Sequence, residues 1–180
     1  MKKRVFVGLN VPENLQKNVL LWQNKWRYLP ARFIAPKNLH ITLVPPWYEE
    51  KIEQAIDLLK PCSKITTPIE IAFEEICFGP KESRPRLIWI KGKSTLKLHL
   101  FKSKLTQALK QNEEKRDFLP HLTIARFKER DFARFPVKKL AEKINWRQKF
   151  DSFCLFESRL TPDGAEYEII EEIKLSSRGS

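Results

Sequence analysis

The apolar positions of this chain repeat with two different periods, which alternate along the sequence. Apolar residues three and four positions apart predict three amphipathic helices, over 10–29, 50–60 and 94–111. Shorter apolar, β-prone segments predict strands, at 4–9, 32–35, 39–44, 69–78, 86–91, 121–127, 150–158 and 166–175. A further short helix is predicted over 137–143.

Turn residues indicate how the predicted strands connect. Pro162-Asp163-Gly164 suits a hairpin between the last two strands, and Pro45-Pro46-Trp47 is expected to end the strand before it. Because strands interleave with helices while such turns favour antiparallel pairing, we predict an α+β fold with two sheets and helices packed outside. The length of 180 residues indicates one domain over 1–175, and we expect 176–180 to form a disordered tail.

A four-residue pattern occurs twice and includes two of the three histidines. It reads His40-Ile41-Thr42-Leu43 in one half of the chain and His121-Leu122-Thr123-Ile124 in the other. Successive side chains on a strand point to opposite faces, so each histidine shares a face with its threonine. Two such strands across a groove would present two imidazoles and two hydroxyls to one ligand. We interpret the remaining histidine, His99, as structural, since it borders the apolar stripe of the third helix.

Charge narrows the class of partner, and the cysteines and apolar runs indicate the compartment. A formal net charge of +12 and a pI near 9.7 favour a polyanion, with nucleic acid the first candidate and a generally basic surface the alternative. Three cysteines without metal-ligand spacing indicate apolar filler residues in a reducing compartment. The apolar run after Met1 is too short for a signal peptide, and no stretch approaches a membrane span. We therefore expect a cytoplasmic monomer.

These features together resemble the two-histidine phosphoesterase superfamily, and most closely its RNA 2′,3′-cyclic phosphodiesterases, also called 2′-5′ RNA ligases. The resemblance covers nearly the whole chain. It includes Asn38-Leu39 before the first motif, Pro85-Arg86-Leu87-Ile88-Trp89, Pro120 before the second motif, Arg126 after it, and the closing hairpin over 158–167. One departure is Val44-Pro45-Pro46-Trp47, where the family often has an apolar-Phe-Leu-Gly run, so the rim of the groove is expected to differ.

The resemblance implies two pseudo-symmetric lobes, each with an antiparallel sheet, and a central groove that holds both motifs. It also implies hydrolysis of 2′,3′-cyclic phosphate ends of RNA to 2′-phosphates, with His40 as proton donor and His121 as proton acceptor. Paired histidines suit this step because an unperturbed pKa of about 6.5 makes both protonation states accessible near neutrality. No cofactor is expected, and no metal, since the sequence has no Gly-rich phosphate loop and no ligand cluster.

Further residues are candidates for binding the substrate. Thr42 and Thr123 are expected to donate hydrogen bonds to phosphate oxygens. Arg126 lies five positions after His121, so strict alternation places it on the opposite face, and a bulge or the end of the strand is needed to bring it to phosphate. Four other side chains are candidates for the groove wall, although solvated or core roles are equally compatible with their positions: Trp47, Arg86, Arg116 and Lys128.

Rival functions use much of the same chemistry. A 2′-5′ RNA ligase would run the step in reverse with identical residues, and a phosphodiesterase for small cyclic or 2′-5′-linked nucleotides would differ in groove size and charge. A non-enzymatic RNA-end binder would keep the basic surface but would not need the second histidine.

Overall fold

The computed structural model describes residues 1–113, 117–162 and 164–176. Within these ranges the chain forms three α-helices and nine β-strands. The helices are α1 (Glu13–Lys25), α2 (Ile52–Lys64) and α3 (Leu96–Ala108). The strands are β1 (Lys3–Asn10), β2 (Arg32–Phe33), β3 (His40–Glu49), β4 (Ile69–Gly79), β5 (Leu87–Gly92), β6 (His121–Arg126), β7 (Ala141–Phe150), β8 (Ser152–Thr161) and β9 (Gly164–Lys174).

The strands form two antiparallel sheets. The first sheet has the order β3-β1-β8-β9, and the second has the order β2-β6-β5-β4-β7. Each sheet contains one of the two histidine motifs, at the start of β3 and of β6. The predicted α+β fold with two antiparallel sheets is confirmed.

One large apolar core joins both sheets and the helices. The helix α1 contributes Leu15, Val19 and Trp22, whose spacing of four and three residues puts them on one face. Each fully buried large apolar side chain contributes roughly 1.5–3 kcal/mol to folding. A small second cluster of Phe6, Cys154 and Phe156 lies apart from this core, with Tyr167 packed against it.

The two prolines after the first motif do not end the strand, contrary to the prediction. Strand β3 continues through Pro45 and Pro46 to Glu49. Proline removes a ladder donor, which is tolerated where no second strand pairs. In the first sheet β3 is an edge strand that pairs only with β1 among the described strands, and both prolines are exposed.

The helix predicted over 137–143 is also wrong. Residues Glu129–Arg134 form a short 3₁₀ helix, and Ala141 begins β7, which pairs with β4 at the edge of the second sheet. Along β7 partly buried residues alternate with exposed ones, the period of a strand with one covered face. The strand forms because it pairs with β4, and this partner is distant in sequence.

Three remaining expectations concern membrane-spanning helices, the last hairpin turn and the C-terminal tail. In the described part of the chain, no helix has the length and apolar character needed to cross a membrane. Asp163 of the predicted hairpin turn and residues 177–180 of the predicted tail lie outside the described residues. Ser176, the first residue of that tail, donates its N–H to the Ser63 carbonyl at 3.0 Å.

Candidate active site

The two motif strands contact each other where the two sheets meet. His40 is the first residue of β3, and His121 is the first residue of β6. Both strands show the same burial sequence over their first five residues, in which partly exposed His and Thr alternate with buried apolar side chains. Each strand therefore has the chemical face and the core face that the motif predicts.

A β-bulge follows the second motif and turns Arg126 toward the face of His121. Thr123 pairs with Trp89 while Ala125 pairs with Ile88, so Ile124 is an extra residue on β6. Ile124 and Ala125 are both fully buried, and Arg126 is exposed. Of the two possibilities that the five-residue spacing left open, a bulge or the end of the strand, the structure has the bulge.

The extra residue of this bulge is held by two hydrogen bonds to its carbonyl oxygen. The Ile34 backbone N–H donates to the Ile124 oxygen at 2.9 Å, and the buried Gln23 side chain donates to it at 3.0 Å. Gln23 Nε2 also donates to the Ile34 oxygen at 3.0 Å. Helix α1 therefore stabilises the irregular backbone that orients Arg126.

The first motif strand has a bulge at the corresponding position. Gly8 pairs with Thr42 and Val7 pairs with Val44, so Leu43 is the extra residue, and Leu43 and Val44 are both buried. Pro45 consequently occupies the position in β3 that Arg126 occupies in β6. Gly8 is required for this close pairing, because a Cβ at that position would lie 2.7 Å from the Ile41 carbonyl oxygen.

Both imidazoles are oriented by the same hydrogen bond. The Nδ1 atom of His40 lies 2.8 Å from the carbonyl oxygen of Asn38, and Nδ1 of His121 lies 2.9 Å from that of Leu119. A carbonyl oxygen only accepts, so Nδ1 carries the proton in each ring. In each neutral histidine this leaves Nε2 with the lone pair, as the nitrogen that can exchange a proton with a substrate.

His40 is enclosed by aromatic rings of the first sheet. Its ring centroid is 4.7 Å from that of Phe6 and 4.6 Å from that of Tyr167. Burial lowers the pKa of His40 to about 4, against the opposing effect of the Asn38 hydrogen bond, and the charges of Arg126 and His121 lower it further. The charges of Arg126 and His121 therefore act on the His40 ring, although Arg126 and His121 belong to the second sheet.

Asn38 accepts two hydrogen bonds that hold the segment before the first motif. Its backbone oxygen accepts from His40, and its side-chain Oδ1 accepts from the Tyr167 backbone N–H at 3.1 Å. This second bond ties the segment before β3 to β9, which carries the ring against His40. Asn38 is therefore a positioning residue for the imidazole.

His121 has a different neighbour, Trp89 of β5. The two ring centroids are 4.7 Å apart, and the Trp89 indole N–H donates to Cys77 Sγ at 3.2 Å. The wide ring fits because Gly79 has no Cβ, which would overlap the indole. Trp89 pairs with Thr123 across the two strands, so the indole lies on the face of the motif.

A cavity of about 490 Å³ lies between the two motif strands. We call it the histidine cavity. It is lined by Thr42, Leu43, Pro45, Pro80, Arg86, Leu87, Trp89, Asp117, Phe118, Leu119 and His121. It thus contains one threonine from the first motif and the histidine from the second, and its volume is that of a typical small-ligand site.

The other candidate residues have different locations. Arg86 lines the histidine cavity, whereas Arg126 and Lys128 line a neighbouring one. Trp47 pairs with the buried Val5, packs against the main core and is not brought to the cavity. Arg116 lies outside the described residues, and His99 is exposed on α3. No group of three or more metal-ligating side chains is present in the described portion of the chain.

Sequence reasoning did not assign a role to several residues that surround the histidines. Asn38 and Trp89 belong to segments that carry the family resemblance, and this resemblance could have marked them as site residues. Phe6 and Tyr167 carried no such signal, because their contact with His40 depends on the pairing of β1, β3, β8 and β9.

Comparison with known proteins gives consistent matches over nearly the full length. The sequence profile of the 2′-5′ RNA ligase superfamily matches residues 12–161. The chain is 29% identical over 181 residues to the RNA 2′,3′-cyclic phosphodiesterase of Methanocaldococcus jannaschii, covering 94% of this chain and 99% of that protein. It is 28% identical over 184 residues to the protein of the same name from Thermotoga maritima, covering 94% of each.

Solved structures share the fold. The chain is similar to TT0787 of Thermus thermophilus, with a TM-score of 0.77 and 22% identity over 96% of this chain and 97% of that one. It is also similar to E. coli LigT complexed with 3′-AMP, with a TM-score of 0.75 and 21% identity over 98% and 99% of the two chains.

Proposed function

The chain belongs to the 2′-5′ RNA ligase superfamily, and we propose that it hydrolyses 2′,3′-cyclic phosphate ends of RNA to 2′-phosphates. The observation that carries the proposal is the meeting of two His-x-Thr strands whose imidazoles both keep Nδ1–H on a backbone carbonyl. The names of the full-length relatives support the substrate class.

Hydrolysis needs one base and one acid on opposite sides of the phosphorus atom. In the proposed step His121 Nε2 takes a proton from water, and the resulting oxygen attacks phosphorus. The bond from phosphorus to the ribose 3′-oxygen breaks, and His40 Nε2–H protonates the leaving oxygen. The phosphate then remains on the 2′-oxygen, and a proton returns from His121 to His40 through solvent before the next turnover.

The lowered pKa of His40 sets a condition on its role as the acid. With a pKa of about 4 the ring is neutral at pH 7 in the free protein. A phosphate anion beside the ring favours the protonated form and raises the pKa, so substrate binding supplies the charge state that the donor needs. If His40 were instead the base, the product would be the 3′-phosphate.

Three side chains are proposed to bind the phosphate. The hydroxyls of Thr42 and Thr123 share the faces of the two histidines, and Arg126 is turned to that face by the bulge. Hydrogen bonds from these donors to the nonbridging oxygens would stabilise the charge that develops in the transition state. Arg86 lines the histidine cavity, as Thr42 does, and adds a positive charge at its wall.

We further propose that the reaction needs no metal and that a monomer carries it out in the cytoplasm. Both proton transfers are assigned to imidazoles, so no Lewis acid enters the step. The free thiols of Cys62, Cys77 and Cys154 agree with a reducing compartment. Burial raises the pKa of each thiol, which makes it unreactive.

The decisive experiment is product analysis with a 2′,3′-cyclic nucleotide and with a short RNA that ends in a cyclic phosphate. We expect EDTA-resistant hydrolysis of both to the 2′-monophosphate, identified by phosphorus NMR against both standards. A 3′-monophosphate product would reverse the acid and base roles. Joining of the RNA end to a 5′-hydroxyl strand in place of hydrolysis would establish the ligase, and no reaction of either substrate would reject the enzyme.

A further inference from the structure

Two arginines lie directly opposite each other on neighbouring strands of the second sheet. Arg32 of β2 pairs with Arg126 of β6, which pairs on its other side with Leu87 of β5. Directly paired residues of an antiparallel sheet project from the same face. The three side chains therefore form one row, which begins with Leu87 in the histidine cavity and continues to the arginines.

The arginines line a second cavity of about 480 Å³, which we call the arginine cavity. Its lining residues are Pro30, Arg32, Arg126, Phe127, Lys128, Asp131, Pro162 and Gly164. Three are cationic, and Pro30, Phe127 and Pro162 provide apolar surface. A volume of this order accommodates a small ligand such as a nucleotide.

The positive charge of this cavity has little internal compensation. In the described parts of the chain, the side chains of Arg32 and Arg126 take part in no hydrogen bond or ion pair. The carboxylate of Asp131 lies 3.8 Å from Nη1 of Arg134 and is shared with that residue. Like charges in directly opposed positions destabilise a sheet, and an anion bound between them would remove that penalty.

The guanidinium of Arg32 packs against the hairpin of the first sheet. A Cβ on Gly164 would overlap the Arg32 guanidinium, so the backbone of β9 packs directly on it. Gly164 also has a φ of +122°, which side-chain-bearing residues rarely adopt. Residues of both sheets thus line the arginine cavity, and Arg126, one of them, also acts on His40 through its charge.

We propose that the arginine cavity binds the phosphodiester and the nucleotide that precede the cyclic-phosphate end of an RNA substrate. This inference rests on the proposed function, because it assumes that the terminal nucleotide occupies the histidine cavity. Arg32 would donate two parallel N–H bonds to the phosphodiester, as a guanidinium fork does, and the apolar wall would receive the ribose and base. Arg32 is then the residue that makes the enzyme prefer oligonucleotides to mononucleotides.

The test compares Arg32→Gln with the wild type on a cyclic-phosphate-ended tetranucleotide and on the 2′,3′-cyclic mononucleotide. We expect the ratio of kcat/KM for the tetranucleotide to kcat/KM for the mononucleotide to fall at least about tenfold, the effect of losing a charged hydrogen bond. The slope of log kcat/KM for the tetranucleotide against log salt should decrease by about 0.7, the value for one contact to a single-stranded phosphate.

Arg147→Gln is the matched control, since Arg147 is exposed on β7, at the opposite edge of the same sheet. It removes the same charge and should leave the ratio unchanged. An equal loss on both substrates in Arg32→Gln, or no loss on either, would overturn the inference. If the wild type hydrolyses neither substrate, the proposed function fails. The inference is then tested by fluorescence anisotropy with a 2′-phosphorylated tetranucleotide. Unchanged affinity in Arg32→Gln would reject the inference, and a fall in affinity of at least about tenfold would support it.

Discussion

The two motif strands have the same local structure and different surroundings. Each begins with a histidine whose Nδ1 donates to the carbonyl two residues earlier, and each has a bulge after the threonine. However, β3 is the edge of a four-stranded sheet, whereas β6 lies inside a five-stranded one between β2 and β5. The edge tolerates Pro45, and the interior position gives Arg126 a paired arginine.

The surroundings also make the histidines unequal. His40 lies among Phe6 and Tyr167 and has a lowered pKa, whereas His121 lines the histidine cavity against Trp89. A repeated motif thus provides two similar imidazoles, and the packing around each one gives it a different environment. Substitutions at matched positions of the two strands measure how far the strands are equivalent.

The largest effect is expected from removing either imidazole. His40→Ala and His121→Ala should each lower kcat on a 2′,3′-cyclic nucleotide by roughly 10²–10⁴-fold, since neither proton transfer can replace the other. Steady-state kinetics measures the loss, circular dichroism checks the fold, and His99→Ala on the exposed face of α3 is the control. Near-wild-type activity in either variant would show that the motifs do not act as a pair.

A smaller effect is expected at the two positions that follow the bulges. Arg126→Gln should reduce kcat/KM by roughly 10- to 100-fold, because a charged donor to phosphate is lost. Pro45→Ala, at the corresponding position of β3, should cost far less, since proline has no side-chain donor to lose. Comparable losses at both positions would indicate that the substrate contacts the two strands alike.

The unequal environment of His40 predicts a pH effect on stability. Its folded pKa of about 4 lies below the unfolded value of 6.5, so the unfolded chain binds more protons between these values. His40 therefore lowers the free energy of unfolding progressively as pH falls from 6.5 to 4, and has no such effect above 6.5. Urea denaturation at pH 7 and pH 5 should show a smaller decrease in His40→Asn than in the wild type, and His99→Asn should behave as the wild type.

The same environment can be examined directly by NMR titration of the imidazoles. Arg126→Gln removes one of the positive charges that lower the pKa of His40, so the midpoint of this ring should move upward from about 4. An unchanged midpoint would mean that Arg126 is too well screened by solvent to act on His40.

An effect on stability is expected at the residue that supports the second bulge. Gln23→Met keeps the side-chain volume but removes the donor to the carbonyls of Ile34 and Ile124, and should cost about 1–3 kcal/mol of unfolding free energy. Gln16→Met is the control, because Gln16 makes one local bond to the Val11 carbonyl and is only partly buried. Urea denaturation measures both, and equal losses would remove the special role of Gln23.

Local patterns in the sequence were sufficient for much of the candidate site. Alternation along a strand is a local property, so the faces of His40, Thr42, His121 and Thr123 followed from spacing alone. Spacing put Arg126 on the opposite face, and only the resemblance implied that a bulge or the end of the strand brings it round. The three predicted amphipathic helices were found with shifted ends because their apolar stripes have the helical period.

Tertiary structure decided which strands pair and what surrounds each side chain. A strand's period does not identify its partner, so the sequence did not reveal that β3 is an edge, that Ala141–Phe150 pairs with β4, or that Arg32 lies opposite Arg126. The low pKa of His40 depends on rings contributed by β1 and β9, and Trp47 turns to the core because of where β3 pairs with β1. These features arise from contacts between segments distant in sequence, and they determine what each copy of the motif can do.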